Sequence, residues 1–438
     1  MTRSGESPSS TELFEDYPTR PVPADVGVSG WRIALINSAL ALSLSGLVAG
    51  VQLGAALGLA DATVAFVAGG LLLSIVGAVT GYVGVRLRLT SYMIIRYAFG
   101  SQGSKLVNLC LALSLFGWFG VNSSLFGKAS AQIWNSLSGG SSAEWVFVVG
   151  GGVLMTAGAI FGFKSLSLLS AFVVPLQFLI LVVLAARTMS AVSLGELLGV
   201  PPQGGVTIGE AISAVVGGWI VGAVAAPDLT RYGRTWVDAT TAASIPFLFA
   251  STFIYVVAAM AGLWSGEDDI LAVMLAMGLG LAAFALVGFS SWVTNAANLY
   301  GCSLSLTAIF PGLRDWQVVV VSGAAGTVLA LLGILDRFID FVFSLGVIFT
   351  PVAGIYTVDF FLLRRADYGR EGGPKIPEIS YAAFAAWILG VVVAVAANAG
   401  LITLSSVPTV DALLTAVVIY WGIGKLIPDQ AISADAGH

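Results

Sequence analysis

The chain has 438 residues, 57% hydrophobic and only 10% charged, with a mean hydropathy of +0.94 and a net charge of -5. A water-soluble domain carries about 25% charged residues, so the composition excludes one and indicates an all-α polytopic membrane protein solvated mainly by lipid. Cys110 and Cys302 both fall in apolar segments and the single histidine is residue 438, which argues against a disulfide framework or a Cys/His metal cluster.

Residues 1–30 are polar and contain prolines without an apolar h-region, which reads as a disordered cytoplasmic tail rather than a signal peptide. A spanning helix needs about 20 apolar residues, and twelve segments qualify. They run roughly 31–58, 62–85, 106–131, 145–163, 166–187, 210–227, 240–264, 270–308, 317–335, 340–363, 380–402 and 409–426. Residues 427–438 form a second tail. With both termini cytoplasmic, sixteen Lys and Arg residues fall in inside segments, and only Arg187 and Arg337 fall outside, beside the acidic Asp61, Glu267, Asp268 and Asp269. The positive-inside bias therefore predicts that orientation in the cell membrane and an even number of spans.

The first and sixth spans are both interrupted by glycine: Ser45-Gly46, Gly50 and Gly54 in one, Gly217-Gly218 and Gly222 in the other, which Pro227 closes. Interrupted helices at corresponding positions of two five-helix halves point to an inverted-repeat transporter whose site lies at the breaks. Under that reading 31–187 is the first repeat, 210–363 the second, and 380–426 two additional helices. The plainer reading is that small residues simply let membrane helices pack.

Trp118 and Trp219 stand mid-span in Gly117-Trp118-Phe119-Gly120 and Gly217-Gly218-Trp219. Tryptophan in membrane proteins is enriched at the interface, where its N–H meets polar partners. Two central indoles flanked by glycine suggest stacking surfaces for a flat ring. Asn122 lies one helical turn after Trp118, and the eighth span carries Ser290-Ser291-Trp292-Val293-Thr294-Asn295-Ala296-Ala297-Asn298. An intramembrane amide either ties helices together or lines a wet cavity. Amides both donate and accept, as the edge of a heterocycle requires.

These blocks, with Pro227-Asp228-Leu229-Thr230-Arg231-Tyr232 and Leu299-Tyr300, resemble the nucleobase–cation symporters, and within them the purine-cytosine permeases. The resemblance covers about residues 25–425. It implies the leucine-transporter fold and import of purines or cytosine by cation symport with alternating access. It also implies that Trp118 and Trp219 sandwich the base while Asn122, Asn295 and Asn298 read its edge, with Ser45 and Gly218 nearby. Bacterial cytosine permeases carry a glutamine where this chain has Leu115 and a serine where it has Gly218, which favours a broader purine/cytosine site. A hydantoin- or allantoin-type ureide carrier of the same fold is the alternative substrate reading.

For the coupling cation, H+ or Na+, the resemblance implies a site made by the Ser43, Gly46 and Ser290 carbonyls and the side chains at 293 and 294. Thr294 keeps a hydroxyl there and Val293 has none, which favours protons over sodium. No proton carrier stands out. Asp228 beside Arg231 reads as a structural ion pair, Glu210, Asp340 and Asp359 as interfacial groups, and Lys128 as a side chain reaching the outer surface. A membrane enzyme would need a nucleophile–base pair or metal cluster, and a channel a repeated filter or charged rings; neither pattern is present. The resemblance implies no cofactor and no nucleic-acid partner.

Overall fold

In a computed structural model, residues 21–426 are described except for 24, 161, 162, 268, 311, 366 and 370–375. The tails 1–20 and 427–438, with His438, lie outside the described residues. The helices follow in order: α1 (Gly30–Ala41), α2 (Leu44–Leu87), α3 (Ser91–Phe99), α4 (Gly103–Ser138), α5 (Glu144–Ile160), α6 (Phe163–Ala191), α7 (Leu194–Leu198), α8 (Ile208–Val224), α9 (Pro227–Thr230), α10 (Trp236–Ser244), α11 (Ser251–Ser265), α12 (Ile270–Ala276), α13 (Gly280–Ile309), α14 (Asp315–Leu331), α15 (Phe338–Val358), α16 (Tyr381–Asn398) and α17 (Pro408–Leu426). No strand occurs among the described residues.

Helix occupies each of the twelve expected segments, and among the described residues eight continuous helical runs are long and apolar enough to cross a membrane. One of the eight, α2, holds the end of the first expected span and all of the second. It bends at Gly58, whose φ of +76° an L side chain adopts only with strain. The expected eighth span 270–308 is instead two helices, α12 and α13, separated at Gly278 with φ +73°. Large apolar side chains such as Val153, Phe249 and Val321 face outward, as a chain solvated by lipid requires.

The breaks do not fall at the glycines. The first comes at Leu42-Ser43, where Ser43 is extended and begins α2. The second comes at Ala225-Ala226, between α8 and α9, where Pro227 has no N–H to return to Ala223. Other helices satisfy the freed carbonyls: Thr80 Oγ1 donates to Ala223 O at 2.7 Å and Tyr356 Oη to Val224 O at 2.9 Å. The glycines serve close packing instead. A Cβ on Gly50 or Gly54 would stand 2.6 Å from Tyr255 O or Ala259 Cβ of α11, and one on Gly217 only 1.6 Å from Val342 O of α15. Small residues thus bring α2 against α11 and α8 against α15, as membrane helices without a hydrophobic drive require.

The expected tail also ends earlier than residue 30. Val22 and Val28 are buried, Val22 N–H donates to Arg88 O at 3.0 Å, and Val28 N–H donates to Tyr232 O at 2.8 Å. This end of the bundle also carries Asp228 and Asp359. The Asp228 carboxylate accepts from Ser91 N at 2.7 Å and Ser91 Oγ at 2.9 and 3.0 Å, while Arg231 Nε donates to the Asp228 backbone carbonyl. Asp359, expected at the interface, is fully buried and accepts from Arg364, Tyr368 and Tyr420. A buried carboxylate persists only with such partners. Glu210 closes a capping box with Thr207 at the start of α8.

Candidate functional site

A narrow, nearly closed cleft lies beside the first break, with a cavity volume of about 10 Å³, room for about one water molecule. Five of the residues expected at the site line it: Ser45, Gly46, Trp118, Gly218 and Trp219. Ala49 and Leu53 of α2, Ala214 of α8, Tyr255 of α11, and Phe338, Ile339 and Val342 of α15 complete the walls. The walls are therefore mostly apolar with two indoles and few polar atoms, the usual make-up of a small-molecule pocket.

The two indoles are held differently. Trp118 stands on α4 against the edges of Phe338 (centroids 6.1 Å apart, planes at 74°) and Phe341 (5.5 Å, 72°). That edge-to-face arrangement fixes its plane. Trp219 is held through its N–H, which donates to Tyr255 Oη at 3.1 Å. Tyr255 and the α15 residues had no signal in the sequence beyond being aromatic or aliphatic side chains in apolar spans.

The expected amides do not line this cleft. Asn122 is fully buried, its Nδ2 donates to Trp118 O at 2.9 Å, and its Oδ1 has no partner. Asn295 Nδ2 faces Phe119 O, Ser123 Oγ and Met155 Sδ at 3.2–3.3 Å, and Asn298 Nδ2 donates to Asn295 Oδ1 at 3.3 Å. The α13 amides thus bind α13 to α4 and α5. Their polarity was legible, but the face on which they project was not.

Of the residues expected to hold a cation, Ser43, Gly46 and Ser290 lie at or beside the first break. Ser290 Oγ accepts Leu44 N–H at 3.1 Å, which satisfies an amide that, at the first position of α2, has no partner within its own helix. Ser43 Oγ and Ser45 Oγ lie 2.9 Å apart, and Ser43 O accepts Gly46 N–H at 3.0 Å. Gly46 sits within α2 rather than in the break, and Ala41 O, at the end of α1, lies 3.5 Å from where a Gly46 side chain would begin. Thr294 Oγ1 is buried without a partner, whereas Val293 packs with Val173 of α6. Oxygen atoms of this kind suit a small hard cation.

At the end of the bundle opposite residues 22–28, a wide cavity opens between α2, α4, α5 and α12. Lys128 Nζ lies 3.1 Å from Asp269 Oδ2 there, and Gln132 Nε2 donates to the same oxygen at 2.8 Å. Burial opposes the charge on Asp269, yet Gln132, Leu271 N–H and Lys128 hold its carboxyl below the ordinary carboxylate range.

The family described as "permease for cytosine/purines, uracil, thiamine, allantoin" matches residues 34–424. The chain belongs to this permease family. It is 29% identical over 378 residues to the cytosine permease of Escherichia coli K12, covering 85% of this chain and 87% of that protein. It is 28% identical over 380 residues to the hydantoin permease of Microbacterium maritypicum, covering 80% and 75%. Among solved structures, a nucleobase-cation-symport-1 family transporter, closed with bromovinylhydantoin bound, superposes with a TM-score of 0.78 at 21% identity, over 94% of this chain and 96% of that one. A Na+-coupled sialic acid symporter superposes with a TM-score of 0.64 at 13% identity, over 94% of each chain. This permease therefore has the leucine-transporter fold and is a multi-pass membrane transporter.

Proposed function

We propose that this permease imports nucleobases, purines or cytosine, across the cytoplasmic membrane by cation symport with alternating access, both termini being cytoplasmic. One observation carries the reading: Trp118 and Trp219, from the two halves of the chain, line a single cleft beside the first helix break. Indole faces stack on any planar heterocycle, and the flanking Gly46 and Gly218 leave the backbone open to the ligand. The cytosine permease relative supports a base as the ring. For the ion we favour the proton, because Val293 is spent on packing against Val173 and offers no oxygen.

A cyclic ureide is the second reading, favoured by the hydantoin permease relative and by the narrowness of the cleft. Competition decides between them. The full chain in proteoliposomes should take up labelled adenine or cytosine, and unlabelled bases should suppress that uptake at lower concentrations than hydantoin or allantoin. The reverse order would assign the site to ureides.

A further inference from the structure

We propose that Tyr255 is a specificity-determining residue whose phenolic O–H donates a hydrogen bond to an unprotonated ring nitrogen of the bound base. This deepens the substrate reading above and rests on it.

The geometry is specific. Tyr255 is 2% exposed on α11, and its ring lies 5.2 Å from that of Phe66 with the planes tilted 40°. Its hydroxyl reaches the cleft between α2 and α8, where it accepts the Trp219 N–H at 3.1 Å. A phenol oxygen carries one proton and two lone pairs. The indole uses a lone pair, so the proton remains, and no acceptor for it exists among the described residues. A buried donor without an acceptor is unfavourable, and the open side of this one is the cleft. Gly218 keeps that side clear: among the described residues, and leaving aside Gly218's own stretch of α8, only the Tyr255 hydroxyl lies within 4 Å of where a side chain there would begin, at 3.3 Å. The hydrogen bond to Trp219 also orients the phenol, so stacking on the indole and donation to the ring edge come from one connected pair. An edge that presents only N–H groups to Tyr255 would meet donor against donor.

The experiment is a cycle between protein and ligand. Binding of adenine, hypoxanthine and their 1-, 3- and 7-deaza analogues is measured on the full chain in detergent, for the parent and for Tyr255→Phe. In the parent, one nitrogen-to-carbon replacement should weaken binding by about 5- to 150-fold, since it leaves the O–H unpaired. In Tyr255→Phe that same replacement should have no further effect, while the ring and the fold are kept. A uniform loss for every ligand in Tyr255→Phe, with each deaza effect unchanged, would mean that Tyr255 only positions Trp219 and would overturn the proposal. Trp118→Ala serves as the control. If it binds base like the parent, the cleft is not the substrate site and the underlying reading fails; if it loses binding while Tyr255 shows no coupling, this inference alone fails.

Discussion

Ser290 Oγ accepts the backbone N–H of Leu44 at 3.1 Å, across 246 positions of the chain. The middle of α13 is thereby fastened to the first residue after the break in the first span. Removing the hydroxyl leaves a buried amide unpaired, which costs about 1–3 kcal/mol. Ser290→Ala should lower the thermal unfolding midpoint of the purified protein by several degrees, and Ser290→Thr should restore much of it. An unchanged midpoint in Ser290→Ala would show that another acceptor serves Leu44.

Trp118 and Trp219 should each matter to binding more than to folding. Base–aromatic stacking contributes about 1–3 kcal/mol per contact. Alanine at either position should weaken base binding roughly 5- to 150-fold with normal insertion. Isothermal titration in detergent measures this directly, and parent-like binding in both variants would place the site elsewhere.

The amides should separate into two kinds. Asn295 spends its Nδ2 on α4 and α5 contacts and its Oδ1 on Asn298, so Asn295→Ala should reduce stability by about 1–3 kcal/mol without reordering the bases. Asn122 retains an unpaired Oδ1 one turn beyond Trp118. Asn122→Ala should change the ranking among adenine, hypoxanthine and cytosine, and competition assays would reveal the shift. A uniform loss that tracks protein abundance would assign Asn122 to packing instead.

Asp269 sets an acid limit on the contact between α4 and α12. Its carboxyl is held below the ordinary value of about 3.9. The stabilisation from Lys128 and Gln132 is therefore fully present above about pH 4 and is lost as pH falls through the lowered value. Both partners are partly exposed, so the pair contributes no more than about 1 kcal/mol and weakens with salt. Asp269→Asn should make the accessibility of a cysteine probe on α12 at neutral pH resemble that of the parent in strong acid. Indifference of the probe to both changes would show that the Lys128–Asp269 pair does not hold α12 to α4.

Coupling should follow the missing hydroxyl. Uptake into energised vesicles should persist without sodium and collapse when the pH gradient is discharged. Val293→Thr, which adds an oxygen beside Thr294, should raise sodium dependence. Saturable sodium stimulation of base binding by the unaltered protein would reverse this assignment.

Much of the fold was open to view in the sequence because lipid demands long apolar helices and the Lys/Arg bias orders them. The breaks were harder to place. Glycine marks both kinks and close packing, and Gly50, Gly54 and Gly217 turned out to pack. Ser43 and Ala225, which stand at the actual breaks, carry no comparable mark. The indoles announced themselves through their unusual depth. Tyr255 did not, since a lone tyrosine in an apolar helix shows neither its rotation nor its partner. Asn295 and Asn298 showed their polarity but not their direction, which only the packing of α13 on α4 and α5 decides.

Gly58 alone forms the corner between the two expected spans within α2. With no loop residues there, the arm that lines the cleft and the arm that carries Thr80, which donates to Ala223 O at the end of α8, meet at this one residue. Any change in the angle between the two arms must therefore be taken up at Gly58 itself, whose missing side chain leaves that freedom.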